Sequence, residues 1–198
     1  GREPQGPTLV LAAVLGAVVV GAIAAGTHYY RSYESSYRAE VGRLLAAIAD
    51  LKVGEIVQWR KERLGDAGIL YRNPGFTELV RRSLGEAGPG RCRPDLRDWL
   101  DRVGDAYGYD RVFVLDARGV ERCAAPDTPE PVARHLVERL PALLGEGRIE
   151  FLDFHRDEPD GAIHLAVVVP ILETARDGPP LGALVLRIDP RVYLYPLI

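Results

Sequence analysis

The sequence predicts an α+β protein: an N-terminal transmembrane helix, a long stalk helix, and then a five-stranded antiparallel sheet with flanking helices. Three observations carry this reading. Thr8 to Gly26 is an uncharged run of 19 residues. Behind it, Tyr37, Val41, Leu44, Ile48 and Leu51 follow the 4-3-4-3 spacing of a helical seam. From Arg111 onward, short β-rich runs alternate with turns that carry Gly and Pro.

The first run spans roughly 28 Å at about 1.5 Å per residue, close to the ~30 Å hydrocarbon core of a bilayer. A cleaved signal peptide has a shorter apolar core, about 7–15 residues, so an uncleaved signal anchor is the better reading. Arg2 precedes the run, whereas Arg31, Arg38 and Arg43 follow it. Counted literally, these charges put the C-terminal side in the cytoplasm, but a long folded domain translocates largely regardless of charge.

Composition excludes several classes. With 25 basic and 28 acidic residues the net charge is -3, and no basic excess draws the chain onto nucleic acid. A charged fraction of 27% is ordinary for a folded domain. Two cysteines are too few for a disulfide scaffold or a four-ligand zinc site. Cys92 lies in a Gly/Pro loop and Cys123 in a strand; they could pair in an oxidising compartment or remain free thiols, and their spacing decides neither. The chain has no Met and ends on apolar residues, which leads us to expect a piece of a longer protein.

The elements follow in order. The stalk helix continues through Ile56, Trp59 and Arg63 to Gly65, with Trp59 anchoring it on the sheet and a charged face toward water. Asn73-Pro74-Gly75 reads as a turn, Thr77–Leu84 as a short helix and Gly85–Pro94 as a loop. Pro94 and Asp95 open a helix with Leu96, Trp99, Leu100, Val103 and Tyr107 on one face. Arg111–Asp116 and Val120–Ala124 form a hairpin around Asp116-Ala117-Arg118-Gly119, and Pro131–Leu144 is a crossover helix. Arg148–His155, Ala162–Ile171 and Leu181–Asp189 are three further strands, joined by Asp157–Gly161 and Thr174–Pro180. The organisation is thus a cytoplasmic stub (1–7), a membrane helix (8–26), a stalk (27–65), a sheet domain (66–190) and the start of a connection onward (191–198).

Four stretches resemble a known family: LKVGEIVQWRKERLGDA (Leu51–Ala67), YGYDRVFVLDARGV (Tyr107–Val120), IHLAVVVPI (Ile163–Ile171) and GALVLRIDPRVYLYPLI (Gly182–Ile198). Together with the membrane and stalk helices they look like a Cache domain, the PAS-like extracytoplasmic sensor module of bacterial receptors. The likeness is greatest to the membrane-distal half of a double Cache region in a sensor histidine kinase. It implies an inner-membrane receptor with its sensor domain in the periplasm or outside the cell, a small-molecule ligand, a homodimer formed along Tyr37–Leu51 and no cofactor. Catalysis, on this likeness, belongs to domains outside the segment. The amine-sensing pattern of the family has no counterpart, since no Trp follows Val132.

Among the titratable residues, no nucleophile–base constellation stands out: G-x-S-x-G, H-E-x-x-H and a Gly-rich loop with Lys are all absent. The candidate binding residues are Asp153, His155 and His164, which an even-length hairpin loop would set as neighbours on one face, opposite a core face of Leu152, Phe154, Ile163 and Leu165. The alternative is a solvated hairpin end. Tyr107 and Tyr109, flanking Gly108, are candidates for the pocket mouth or for ordinary helix-to-strand packing. Arg111 and Arg187 could bind an anion through their forks, or simply face water. A membrane-anchored protein-interaction domain without a pocket is the competing functional reading.

Overall fold

A computed structural model describes residues 6–86, 92–156, 161–173, 178–192 and 194–197. The expected stub at 1–7, the loops at 85–94, 157–161 and 174–180, and the terminal connection at 191–198 lie partly outside these residues. The chain divides into two compact units, Gly1–Val53 and Gly54–Ile198. Helix α1 (Gly6–Leu70) begins in the first.

In the first unit the large apolar residues from Leu9 to Ile23 of α1 are exposed. Among the described residues this is the one helix long and apolar enough to cross a membrane. Past it, Tyr29, Tyr33 and Tyr37 stack in a ladder with ring centroids 6.5 and 6.4 Å apart, as four-residue spacing on a helix requires.

The second unit contains the rest of α1, then α2 (Pro74–Glu86), α3 (Pro94–Tyr107), β1 (Arg111–Asp116), β2 (Glu121–Ala125), α4 (Arg134–Glu146), β3 (Glu150–Arg156), β4 (Ile163–Leu172), β5 (Pro180–Ile188) and α5 (Leu194–Leu197). Several expected boundaries move; the crossover helix, expected from Pro131, starts at Arg134. The long helix passes Gly65 and ends at Leu70, because Ala67 and Leu70 are buried and their packing outweighs the glycine penalty. The expected turn at Asn73-Pro74-Gly75 instead starts α2: Pro74 takes the first helical position, where its missing N–H costs nothing, and the Asn73 Oδ1 accepts from the Phe76 N–H at 3.1 Å.

The sheet is antiparallel in the order β2-β1-β5-β4-β3. The α4 crossover therefore carries the chain from one edge strand to the other. Alternation along the strands divides the interior into two layers. One face packs Val112, Val114, Val167, Leu184 and Leu186 against Trp59, Phe76, Leu96 and Leu100 from α1, α2 and α3. The opposite face packs Phe113, Leu115, Val168 and Val185 against Leu136, Leu140, Leu143 and Leu144 of α4. Both faces of the central strands are covered, so β1 and β4 read as nearly unbroken apolar runs.

Cys92 and Cys123 form a disulfide with a Cα–Cα distance of 4.8 Å. The sequence spacing gave no support for pairing over free thiols, because only the approach of the segment before α3 to β2 brings the two together. The bridge closes a separation of 31 residues, for which chain entropy gives about 3–4 kcal/mol. At the other end of the sheet, Gly182 pairs with both Asp116 and Ile171, and a Cβ there would overlap the Leu115 carbonyl oxygen.

Two outcomes are expected. Reduction of the disulfide, or the double variant C92S/C123S, lowers unfolding stability by about 3 kcal/mol in denaturant titration. Gly182→Ala, whose methyl has no space between backbones, lowers it by about 3 kcal/mol or more, whereas Gly145→Ala, with open space at its Cβ, changes it by less than about 1 kcal/mol.

Candidate functional site

The ordered geometry around the start of β1 begins with Gly108, whose φ of 71° ends α3 and turns the chain into the strand. From there Arg111 lies directly opposite Arg187 on β5, and Arg187 opposite Ala166 on β4. Arg111 shares the parity of Phe113 and Leu115, and Arg187 that of Val185 and Ala183. Both guanidiniums thus enter the layer beneath α4. Arg111 is 2% exposed, and its guanidinium carbon lies 5.1 Å from the centre of the Phe113 ring.

Like charges opposite each other across a strand pair repel, so the arrangement requires acids. Three supply the compensation. Arg111 donates from Nη2 to Glu121 Oε1 at 3.1 Å and to the Thr128 carbonyl at 2.8 Å, and its Nη1 lies 3.9 Å from Glu130 Oε2. Arg187 donates from Nε to Asp110 Oδ2 at 2.7 Å and from Nη1 to Glu130 Oε2 at 2.5 Å. The other Glu130 oxygen accepts from the Thr128 hydroxyl at 2.9 Å.

The charges respond accordingly. Burial alone would lower the Arg187 pKa, but Asp110 and Glu130 together raise it above the ordinary value. Burial pushes the Glu130 carboxyl up, and the hydrogen bonds from Arg187 and Thr128 outweigh this and hold it below the ordinary range. Glu121 goes the other way: burial dominates its Arg111 neighbour and raises it.

Next to this cluster a cavity of about 20 Å³, room for one water, is lined by Arg111, Phe113, Val132, Leu136, Leu152, His155, Ala166 and Arg187, among others. A larger open cleft of about 310 Å³ lies at the opposite end of the sheet, where Arg72 and Glu173 are the charged lining among the described residues. We place the candidate site at the smaller cavity, because buried charges converge there.

The sequence candidates separate. Arg111 and His155 line the cavity. His164 pairs with His155 across the strands, is 5% exposed and has its Nδ1 3.9 Å from Asp110 Oδ2, so the hairpin end is not simply solvated. Asp153 does not join them. A bulge between Leu152 and His155 shifts the register, leaving Leu152 opposite Ala166 and His155 opposite His164. The expected core face is corrected with it: Leu152 belongs to the α4 layer, while Phe154 and Ile163 are exposed. Asp153 is exposed, and its carbonyl accepts from His155 Nδ1 at 3.0 Å. Tyr107 and Tyr109 also stay away from the cavity. Tyr109 is buried in the other layer under the Arg63 guanidinium, and Arg63 donates to the Tyr107 carbonyl at 2.5 Å.

Sequence reasoning missed Asp110, Glu121 and Glu130. Two Arg at mirrored positions on β-rich runs were the available signal; the partner acids sit on separate segments that only the fold assembles.

No family model matches the sequence, and no curated protein matches it. Solved structures do. The sensor domain of the Vibrio cholerae histidine kinase DctB superimposes with a TM-score of 0.57 at 11% identity, over 73% of this chain and 54% of that one. The ligand-binding domain of the Pseudomonas aeruginosa amino acid chemoreceptor PctC, in complex with GABA, gives 0.54 at 16% identity, over 78% and 66%. That of the Pseudomonas fluorescens chemoreceptor CtaA, in complex with L-alanine, gives 0.51 at 11%, over 77% and 61%. The chain therefore shares the fold of these sensor and ligand-binding domains, and it spans about half the length of the first of them.

A pH dependence follows from Glu130. Its carboxyl binds a proton less tightly in the folded than in the unfolded chain, so its contribution is present at neutral pH and lost as pH falls below the ordinary value of 4.5. Asp116, held below its ordinary range by backbone hydrogen bonds from Val120 and Arg118 and by Arg122 against the opposing effect of burial, acts in the same direction, while Glu121 opposes them. Glu130→Gln is expected to lower the urea midpoint at pH 7, by a difference that shrinks as pH falls below 4.5.

Proposed function

We propose that this chain is the extracytoplasmic ligand-sensing region of a membrane-bound signal-transduction receptor, a sensor histidine kinase by preference. The small-molecule site is the cavity between the sheet and α4. The observation that carries this is the Arg111–Arg187 pair: two guanidiniums buried side by side, with compensating acids, on the central strands of a Cache-type sheet. A merely structural layer would place apolar residues there at lower cost. Charges that converge on a cavity are instead the usual makings of a binding site.

Other features agree with this reading. The disulfide fits an oxidising compartment such as the periplasm. The uncovered apolar part of α1 fits an anchor in the inner membrane, and its exposed Tyr37, Leu44, Ile48 and Leu51 fit a homodimer seam. Ligand binding that favours one of two arrangements of the sheet domain would bias the same helix, whose C-terminal part packs in that domain. Phosphotransfer belongs, on this proposal, to domains beyond the segment. GABA and L-alanine in the two chemoreceptor domains give the scale of ligand to expect, a small organic molecule.

A second reading draws on the cavity's size. At about 20 Å³ it holds no organic ligand in this arrangement, which favours a membrane-anchored protein-interaction domain without a pocket.

The test is a thermal-shift screen of the whole chain in lipid nanodiscs against organic acids, amines, purines and divalent metals. Under the sensor reading at least one class stabilises the fold saturably, by about 2.7 kcal/mol at 100 times its dissociation constant. Arg187→Gln then abolishes the effect. A well-folded sample with no hit in any class favours the protein-partner reading.

A further inference from the structure

The cations and the anions of the cluster are mounted differently. Arg111 and Arg187 belong to adjacent interior strands and are 2% and 14% exposed in their side chains. Glu130 belongs to the irregular segment between β2 and α4, and its side chain is 40% exposed. Backbone hydrogen bonds within that segment are short-range, from Thr128 to Pro126 and from Glu130 to Thr128. Arg111 holds the Thr128 carbonyl and Arg187 holds the Glu130 carboxylate, while Asp127 pairs with Arg97 of α3 at 2.6 Å and Val132 and Ala133 pack against the α4 layer. Pro131, Val132 and Ala133, which follow Glu130 directly, form the roof of the cavity.

We propose that Glu130 is a built-in ligand of the arginine pair, occupying the place of an incoming carboxylate, so that a carboxylate-bearing ligand and the 126–133 segment compete for the same guanidiniums. Glu130 displays the recognition itself: one oxygen against both arginines and the other on the Thr128 hydroxyl. Exchange of one carboxylate for another leaves two guanidiniums and three carboxylates in the cluster, so no buried charge is stripped of its partner. A neutral ligand offers no such exchange. An external carboxylate also has a donor that Glu130 leaves unused, since the buried Arg111 Nε has no hydrogen-bond partner among the described residues. Departure of Glu130 lifts the three residues of the roof with it. The 20 Å³ cavity is then the latched state of a larger pocket. The inference rests on the cavity being the ligand site, and it names the ligand's anchoring group.

A competitor within the chain lowers apparent affinity by the fraction of molecules in which it has let go. Removing it therefore raises affinity without adding a contact. The probe is sodium acetate, a free copy of the Glu130 carboxylate, titrated against the whole chain in nanodiscs with sodium chloride at matched ionic strength as control. Acetate is expected to stabilise Glu130→Ala saturably, with half-saturation at least about tenfold lower than for the wild type. The added Arg187→Gln change removes the effect. Glu130→Gln serves where the alanine variant folds poorly. In either variant, amides of Thr128, Glu130 and Val132 exchange faster than in the wild type before any anion is added.

Equal acetate response in wild type and variants, no response in either, or unchanged exchange over 126–133 overturns the latch. The two readings fail separately. A screen hit lost in Arg187→Gln, without acetate discrimination, keeps the cavity as ligand site and overturns the latch. Acetate discrimination without any screen hit keeps the latch and removes the sensor ligand.

Discussion

Two like charges facing each other across adjacent strands are the constraint around which one layer of this protein is organised. Arg111 and Arg187 cannot both be buried beneath α4 unless acids come to them, and the acids come from three places. Asp110 precedes β1, Glu121 starts β2, and Glu130 arrives from the connection to α4. Each pairing therefore ties a different segment to the sheet centre. Breaking one partner from such a cluster exposes a buried charge, so the segments are held in mutual register rather than independently.

The two faces of the sheet divide the labour. The face toward α1, α2 and α3 is an aliphatic and aromatic core, with Trp59 edge-on to Phe151 at 6.1 Å and Phe76 stacked on Trp99 at 4.3 Å. It holds the structural weight, and the Cys92–Cys123 bridge secures its border. The α4 face has small or charged residues at its open end: Ala166, Arg187, Arg111 and the His155–His164 pair. A single helix covers it, and that helix is entered through the irregular 126–133 segment. One side is thus a largely apolar core, and the other joins an apolar layer to a cluster of buried charges.

The shared fold explains the element order without fixing the ligand. At 11–16% identity the solved sensor domains share this chain's fold, while the chemistry of the site resides in side chains that such likeness does not carry over. Here that chemistry is a buried guanidinium pair together with its internal anion.

The sequence by itself determined the fold class, because periodicity is a local property. An uncharged run, a helical seam and alternating β-rich stretches each declare their element without reference to the rest. It also singled out Arg111, His155 and His164, whose residue types and strand positions are visible in isolation. Tertiary structure decided what no local pattern encodes. The bulge that removed Asp153 from its expected neighbours depends on how β3 meets β4. Tyr109 went to the opposite layer because α1 brings Arg63 over its ring. Cys92 met Cys123 only when the segment before α3 was packed against β2. Glu130 became the partner of Arg187, 57 residues away in the chain, only because β5 lies beside β1. Contacts of that separation are set by strand order and chain closure, which a linear pattern of residue types does not specify.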